Sequence, residues 1–274
     1  AEQTTDLGWG QVRWRPLAWL DIRAKGGASQ RGIDRYNDTI AVSLGQNPLM
    51  RKYHLAYRYR EFGEVVAAIS PLELPVSFSV SALFADDDYK ESLVGLNGAE
   101  EFRATADISW AVSESASVYL VFGQDKIDAH QTGAEQFGFW DWSAFHEDDF
   151  DHMGVGMTWR PSDSRFDFSF DYNRGTGKTR IALDSLSGGP STLPTLESTL
   201  DSAHVEASYE FSDRLQGTFD LRYERFDLKD WALVSQTTLP TILTLGAQPY
   251  DYDVYAVGIG IRYRFGDTSS SLAE

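Results

Sequence analysis

The chain has 274 residues, 42% apolar and 14% aromatic, with 41 acidic against 24 basic side chains and a net charge of −17. It is too apolar to be disordered, no run approaches the ~20 apolar residues of a membrane-crossing helix, and an acidic chain lacks the basic surface a nucleic-acid binder needs. Without cysteine there is no disulfide, no Cys-ligated metal and no C-x-x-C-H haem attachment.

The apolar periodicity is two, which predicts strands. In chain order they fall near 7–15, 17–25, 62–70 and 75–86. The next runs from Phe102 to Val112, where Phe102, Ala104, Ala106, Ile108 and Trp110 alternate with Arg103, Thr105, Asp107 and Ser109. Strands follow at 116–127 and 150–160, then the clearest one from Arg165 to Asn173. There Phe166, Phe168, Phe170 and Tyr172 take one face and Asp167, Ser169, Asp171 and Asn173 the other. After 201–211 and Leu215–Glu224, the last runs from Val254 to Phe265, with Gly258 and Gly260 on its polar face.

The alternation lasts about ten residues, the length of a tilted bilayer-crossing strand rather than the ~5–6 of a soluble one. Short connections near Pro16, Pro71–Leu74, Ser113–Ser115, Pro161–Ser164 and Ser212–Arg214 alternate with long ones at 26–61, 87–100, 128–149, 176–200 and 228–250. Outer-membrane barrels have short periplasmic turns and long extracellular loops. The fold read from this pattern is all-β: an antiparallel transmembrane β-barrel of about 11–12 long strands over 1–265, with a polar tail at 266–274. Trp110, Trp159, Tyr172, Tyr209, Phe211, Tyr223, Phe226 and Phe265 sit near strand ends, as interfacial girdles do.

Eleven strands are found, and single-chain bacterial barrels use even numbers. Either Asp38–Leu44 is a further strand or, the preferred reading, the chain is one part of a larger barrel. Ala1-Glu2-Gln3-Thr4 is no signal peptide, so export information is expected to have been removed or to lie upstream.

The chain also resembles the MtrB/PioB family of decahaem-associated outer-membrane proteins. The likeness runs from Asn47-Pro48-Leu49-Met50-Arg51-Lys52-Tyr53 through Asp86-Asp87-Asp88-Tyr89-Lys90, Val118-Tyr119 and Asp125-Lys126-Ile127-Asp128. It continues through Arg222-Tyr223-Glu224-Arg225-Phe226, Asp230-Trp231-Ala232-Leu233 and Leu243-Thr244-Leu245-Gly246 to Val257-Gly258 and Arg262-Tyr263-Arg264-Phe265. Family members are longer, and the likeness is to their C-terminal portion. The resemblance implies an outer-membrane sleeve that holds a periplasmic multihaem c-type cytochrome in its lumen for extracellular electron transfer. It implies no redox centre in the barrel, haem carried only by the partner, and an outer-surface cytochrome on the extracellular loops.

Lumen-facing contact residues expected from the alternation are Arg103, Asp107, Asp167, Asp171, His204, Glu206, Glu210, Asp220, Arg222, Glu224, Arg262 and Arg264. A mixed-charge wall suits a protein partner, and it equally suits water in a passive diffusion porin. Gly258, Tyr263 and Phe265 are read as an assembly signal. Asp86–Asp88 and Glu147–Asp151, expected in or beside outer loops, offer oxygen ligands for Ca²⁺ without EF-hand spacing, and are otherwise a solvated acidic face. Gly175-Thr176-Gly177-Lys178-Thr179 is no P-loop, because Tyr172 stands where the first glycine belongs and no helix follows. His54, His130, His146, His152 and His204 are scattered, so no metal site is expected. An outer-membrane protease or lipase would need a nucleophile beside one of them, and none is matched.

Overall fold

The computed structural model describes residues 3–33, 45–135, 138–186, 189–230 and 250–265. The suggested strand at Asp38–Leu44, the motif pieces at Trp231–Leu233 and Leu243–Gly246, and the tail at 266–274 lie outside them. Eleven long strands form one antiparallel wall: β1 (Gln3–Leu17), β2 (Leu20–Ile33), β4 (Arg58–Ile69), β5 (Val76–Asp88), β6 (Val94–Ser113), β7 (Ala116–Gly133), β8 (Trp142–Trp159), β9 (Phe166–Ser185), β11 (Leu196–Ser212), β12 (Leu215–Lys229) and β13 (Tyr252–Tyr263). Each pairs with its neighbour in the chain. Two short strands attach at the side: β3 (Met50–Arg51) runs parallel to β6, and β10 (Gly189–Thr192) pairs with β9. Among the described residues β1 and β13 do not pair with each other.

Directly opposed residues share a face of the sheet, so the register sorts every side chain. The row Val155–Tyr172–Ala203–Tyr223–Tyr255 crosses five strands on the apolar face. Two residues further along each strand, towards the long connections, the same face carries Met153–Arg174–Asp201–Arg225–Asp253. The switch from rings to alternating charge marks where hydrocarbon ends and water begins. At the other border stand Trp110, Trp159, Phe166, Tyr209 and Tyr263. The register row through Trp110 reaches β13 at Val257, yet the aromatic border on β13 is Tyr263. A slip of about one residue per strand corresponds to a strand tilt of about 35°, within the range of membrane barrels.

Among the described residues this sheet has no second layer. Ile259 is 83% exposed and Ile261 79%, and no large side chain among the described residues is fully buried. Phe166, Phe168 and Phe170 stay partly exposed. A water-soluble protein would cover such a face.

The strands are longer than the alternation predicts, and this corrects the expected loops. β6 to β9 extend through much of 87–100, 128–149 and 176–200, leaving connections of 89–93, 134–141 and 186–195. Asp86–Asp88 and Glu147–Asp151 therefore lie within β5 and β8, not in loops. From Tyr172 to Ser185, β9 rises on the order of 35 Å past the aromatic border. Here both faces meet water, so the apolar/polar alternation fades while the backbone ladder continues.

The few buried apolar residues, Ala56, Ala85, Tyr89, Val94, Ala144 and Leu193, gather at this far end. The Asn47–Tyr53 segment is built in there. Met50 and Arg51 pair with Val94 and Gly95, the Asn47 side-chain amide donates to the Gly138 carbonyl at 3.1 Å, and Arg31 Nε donates to the Ala56 carbonyl at 3.1 Å. Gly95 has φ +133°, and a Cβ there would stand 2.5 Å from the Arg51 carbonyl oxygen. Only glycine allows β3 this approach.

Candidate functional site: the polar face of the wall

Every residue singled out as lumen-facing on a strand falls on one face. Arg103 and Asp107 on β6, Asp167 and Asp171 on β9, His204, Glu206 and Glu210 on β11, Asp220, Arg222 and Glu224 on β12, and Arg262 on β13 share a parity through the register. Arg264 follows just past β13, where its amide donates to the Arg214 carbonyl. Gly258 lies on this same face, while Tyr263 and Phe265 lie at the short-turn border with their rings 4.8 Å apart.

Some of these charges are satisfied inside the wall. Arg103 donates to Asp125, and to Glu101 at 3.3 Å. Tyr119 donates to Asp171 by reaching over Gly156, since Tyr119, Gly156 and Asp171 form one register row. Asp220 bonds His204 Nε2 at 2.5 Å and accepts from Arg222 Nε at 3.1 Å. Others are unengaged: among the described residues Asp107, Asp167, Glu206, Glu210 and Arg262 make no side-chain hydrogen bond or ion pair. Those groups are open to water or to whatever the wall faces. The polar face is not uniformly polar. Trp9, Phe62 and Phe150 share it, and the Lys25 ammonium sits 5.0 Å from the Trp9 ring centroid.

The Tyr119 bridge depends on the missing side chain between its ends. A Cβ on Gly156 would lie 2.3 Å from the Tyr119 ring and 2.6 Å from an Asp171 oxygen. Gly156→Ala is therefore expected to cost roughly 1–3 kcal/mol, as overpacking does, read as a lower urea midpoint of the full-length barrel in vesicles. Tyr119→Ala in the same molecule should recover most of the loss; a double variant as weak as the sum of the singles would refute the steric account.

Beyond the hydrocarbon border the wall carries ion pairs on both faces. On the polar face Arg60 binds Asp87 at 3.0 Å and Glu101 at 2.6 Å, with Arg58 at 3.6 Å from Asp87. Burial pushes the Asp87 carboxyl above its ordinary value, against the pull of Arg60 and Arg58. On the other face Lys229 donates to Glu197 at 2.8 Å, which holds the Glu197 carboxyl below its usual range. Arg180 bridges Glu147 and Asp149 at 3.3 and 3.1 Å. The exposed pairs of Lys229 and Arg180 contribute little each, while the Arg60 pairs are partly buried; together they offset part of the charge of an acidic rim. The acidic residues read as Ca²⁺ ligands are engaged here at Asp87, Glu147 and Asp149.

A one-layer, tilted, antiparallel wall with an exposed apolar belt between aromatic borders is the wall of an outer-membrane β-barrel. Solved structures agree at the level of fold. The copper transporter OprC superposes with a TM-score of 0.64 at 12% identity, over 97% of this chain and 42% of that one. BauA, the ferric preacinetobactin receptor of Acinetobacter baumannii, gives 0.58 at 11% identity, over 94% and 44%. Residues 1–265 match the family model described as "Putative outer membrane beta-barrel porin, MtrB/PioB", and the chain belongs to that family. Outer membrane protein MtrB of Shewanella baltica (strain OS185) is 22% identical over 268 residues, which is 96% of this chain and 38% of that protein. The chain thus spans well under half the length of the relative it matches, and it is an outer-membrane protein.

Proposed function

We propose that this chain is part of an outer-membrane sleeve that holds a periplasmic multihaem c-type cytochrome in its lumen, so that electrons cross the membrane along the partner's haems. The observation that carries the reading is a one-layer polar wall whose edge strands β1 and β13 stay unpaired among the described residues, in a chain of the MtrB/PioB family. Closed on themselves, eleven strands at this tilt would make a cylinder about 20 Å across between backbones. A wider barrel leaves a lumen that side chains cannot fill, and it leaks unless something occupies it.

In this reading Asp107, Asp167, Glu206, Glu210 and Arg262 meet the partner, while Arg103, Asp171 and Asp220 keep the wall rigid. The barrel has no redox centre and no catalytic residue of its own. The short turns face the periplasm. The long-connection end faces outward and receives an outer-surface cytochrome. Gly258, Tyr263 and Phe265 serve as the assembly signal at the end of β13.

The test is purification of the complete barrel from its own membrane, with haem absorbance and planar-bilayer conductance measured on the same sample. A haem-bearing complex that passes few ions supports the sleeve. A haem-free barrel with free ion conductance makes it a diffusion porin instead.

A further inference from the structure

The register brings together three potential ligands that lie far from any metal-binding spacing in the sequence. His204 and Glu206 are two apart on β11 and so share a face, and Asp220 on β12 stands directly opposite Glu206. One ligand atom from each lies within 4.8 Å of the other two. We propose that His204, Glu206 and Asp220 form a binding site for a divalent transition metal of the zinc type on the polar face of the barrel wall.

Two observations beyond proximity point to a cation. Like charges directly opposed on neighbouring strands destabilise a sheet, yet Glu206 and Asp220 are such a pair. Arg222 and His204 engage Asp220, but the Glu206 carboxylate has no hydrogen bond or ion pair among the described residues, so its own charge stays uncompensated within the wall. Second, Asp220 is already oriented: Arg222 Nε holds one oxygen at 3.1 Å, which turns the other towards His204 Nε2 at 2.5 Å. That is the role of an outer-shell partner in metal sites. A metal ion would take the place of the proton shared between His204 and Asp220, and the exposed Glu206 side chain is free to swing in.

The donor set selects the ion. One imidazole nitrogen and two carboxylate oxygens suit Zn²⁺ and its neighbours, whereas Ca²⁺ and Mg²⁺ favour all-oxygen cages. Water would complete the coordination. Nothing here depends on a cytochrome in the lumen; the site clips β11 to β12 whatever the barrel encloses.

The experiment uses the full-length barrel as isolated, stripped with a chelator and titrated with Zn²⁺ by calorimetry. Zinc content is measured separately from haem iron by mass spectrometry. The wild type should take up one Zn²⁺ more per barrel than the His204→Ala variant. Glu206→Gln should weaken binding by at least the ~10–100-fold that loss of an outer-shell partner costs. Glu206 bonds nothing in the wall, so this variant tests the site even if His204→Ala is not recovered in the folded, heat-modifiable form. Zn²⁺ uptake equal in wild type and both variants, or wild-type binding weaker than millimolar, would overturn the proposal.

Discussion

Phe170→Arg in the full-length barrel should abolish most insertion, while Ser169→Arg, one residue away, should be tolerated. Phe170 lies between the aromatic border at Phe166 and the charged row at Arg174, opposite Met157 on β8 and Val205 on β11. All three point to the apolar face near the middle of the belt. An arginine at the bilayer midplane of a barrel costs roughly 2–4 kcal/mol, falling towards zero at the interfaces. Such a penalty is a large part of the stability of many folded proteins. Ser169 belongs to the opposite face, across from Thr158 and Glu206, where a guanidinium meets water and carboxylates. The measurement is the heat-modifiable folded fraction in phospholipid vesicles and the urea midpoint of what folds. Equal tolerance of the two substitutions would mean the faces are wrongly assigned, and a Ser169→Arg loss larger than that of Phe170→Arg would mean they are inverted.

This pair also shows what the sequence makes legible. Phe166 to Asn173 alternates without interruption because each residue meets one of two solvents, and the two solvents accept opposite side chains. The same logic places Phe102 to Trp110 and Tyr255 to Tyr263, so the long strands and the faces of the clearest ones follow from pattern, while Trp9, Phe62 and Phe150 on the polar face do not. Past Arg174 the pattern fails for a physical reason. Lys178 and Arg180 on one side and Thr179 on the other all face water, so nothing forces alternation, and ladder becomes indistinguishable from loop. Hence the overlong connections expected at 128–149 and 176–200.

Pairing between side chains is hidden for a different reason. Tyr119 and Asp171 are 52 residues apart and meet only because Gly156 lies between them in the register. His204, Glu206 and Asp220 show no ligand motif until β11 and β12 are aligned. Register, which sequence periodicity does not number, decides both. The resemblance at Asn47–Tyr53 marks a segment whose place in the fold, β3 docked on β6, periodicity does not give.

The edges of β1 and β13, unpaired among the described residues, predict the largest effect. Residues 1–274 folded alone into vesicles should give no monomeric, heat-modifiable barrel. Every second peptide unit along the outer side of β1 and of β13 points its N–H and C=O away from the sheet, and within hydrocarbon each unsatisfied group costs several kcal/mol. Over the twelve residues of β13 alone the sum is on the order of tens of kcal/mol, beyond anything the ion pairs of the rim could offset. Bending the wall until β1 meets β13 would satisfy those groups. It would also squeeze Arg103, Asp171, Arg222 and their neighbours into a lumen about 20 Å across. The chain should instead stay unfolded, aggregate, or join copies edge to edge, β13 of one to β1 of the next. Native mass spectrometry in detergent, with protease protection in vesicles, separates these outcomes. A protected monomer would show that β1 and β13 do close, and the wide lumen on which the sleeve rests would be gone.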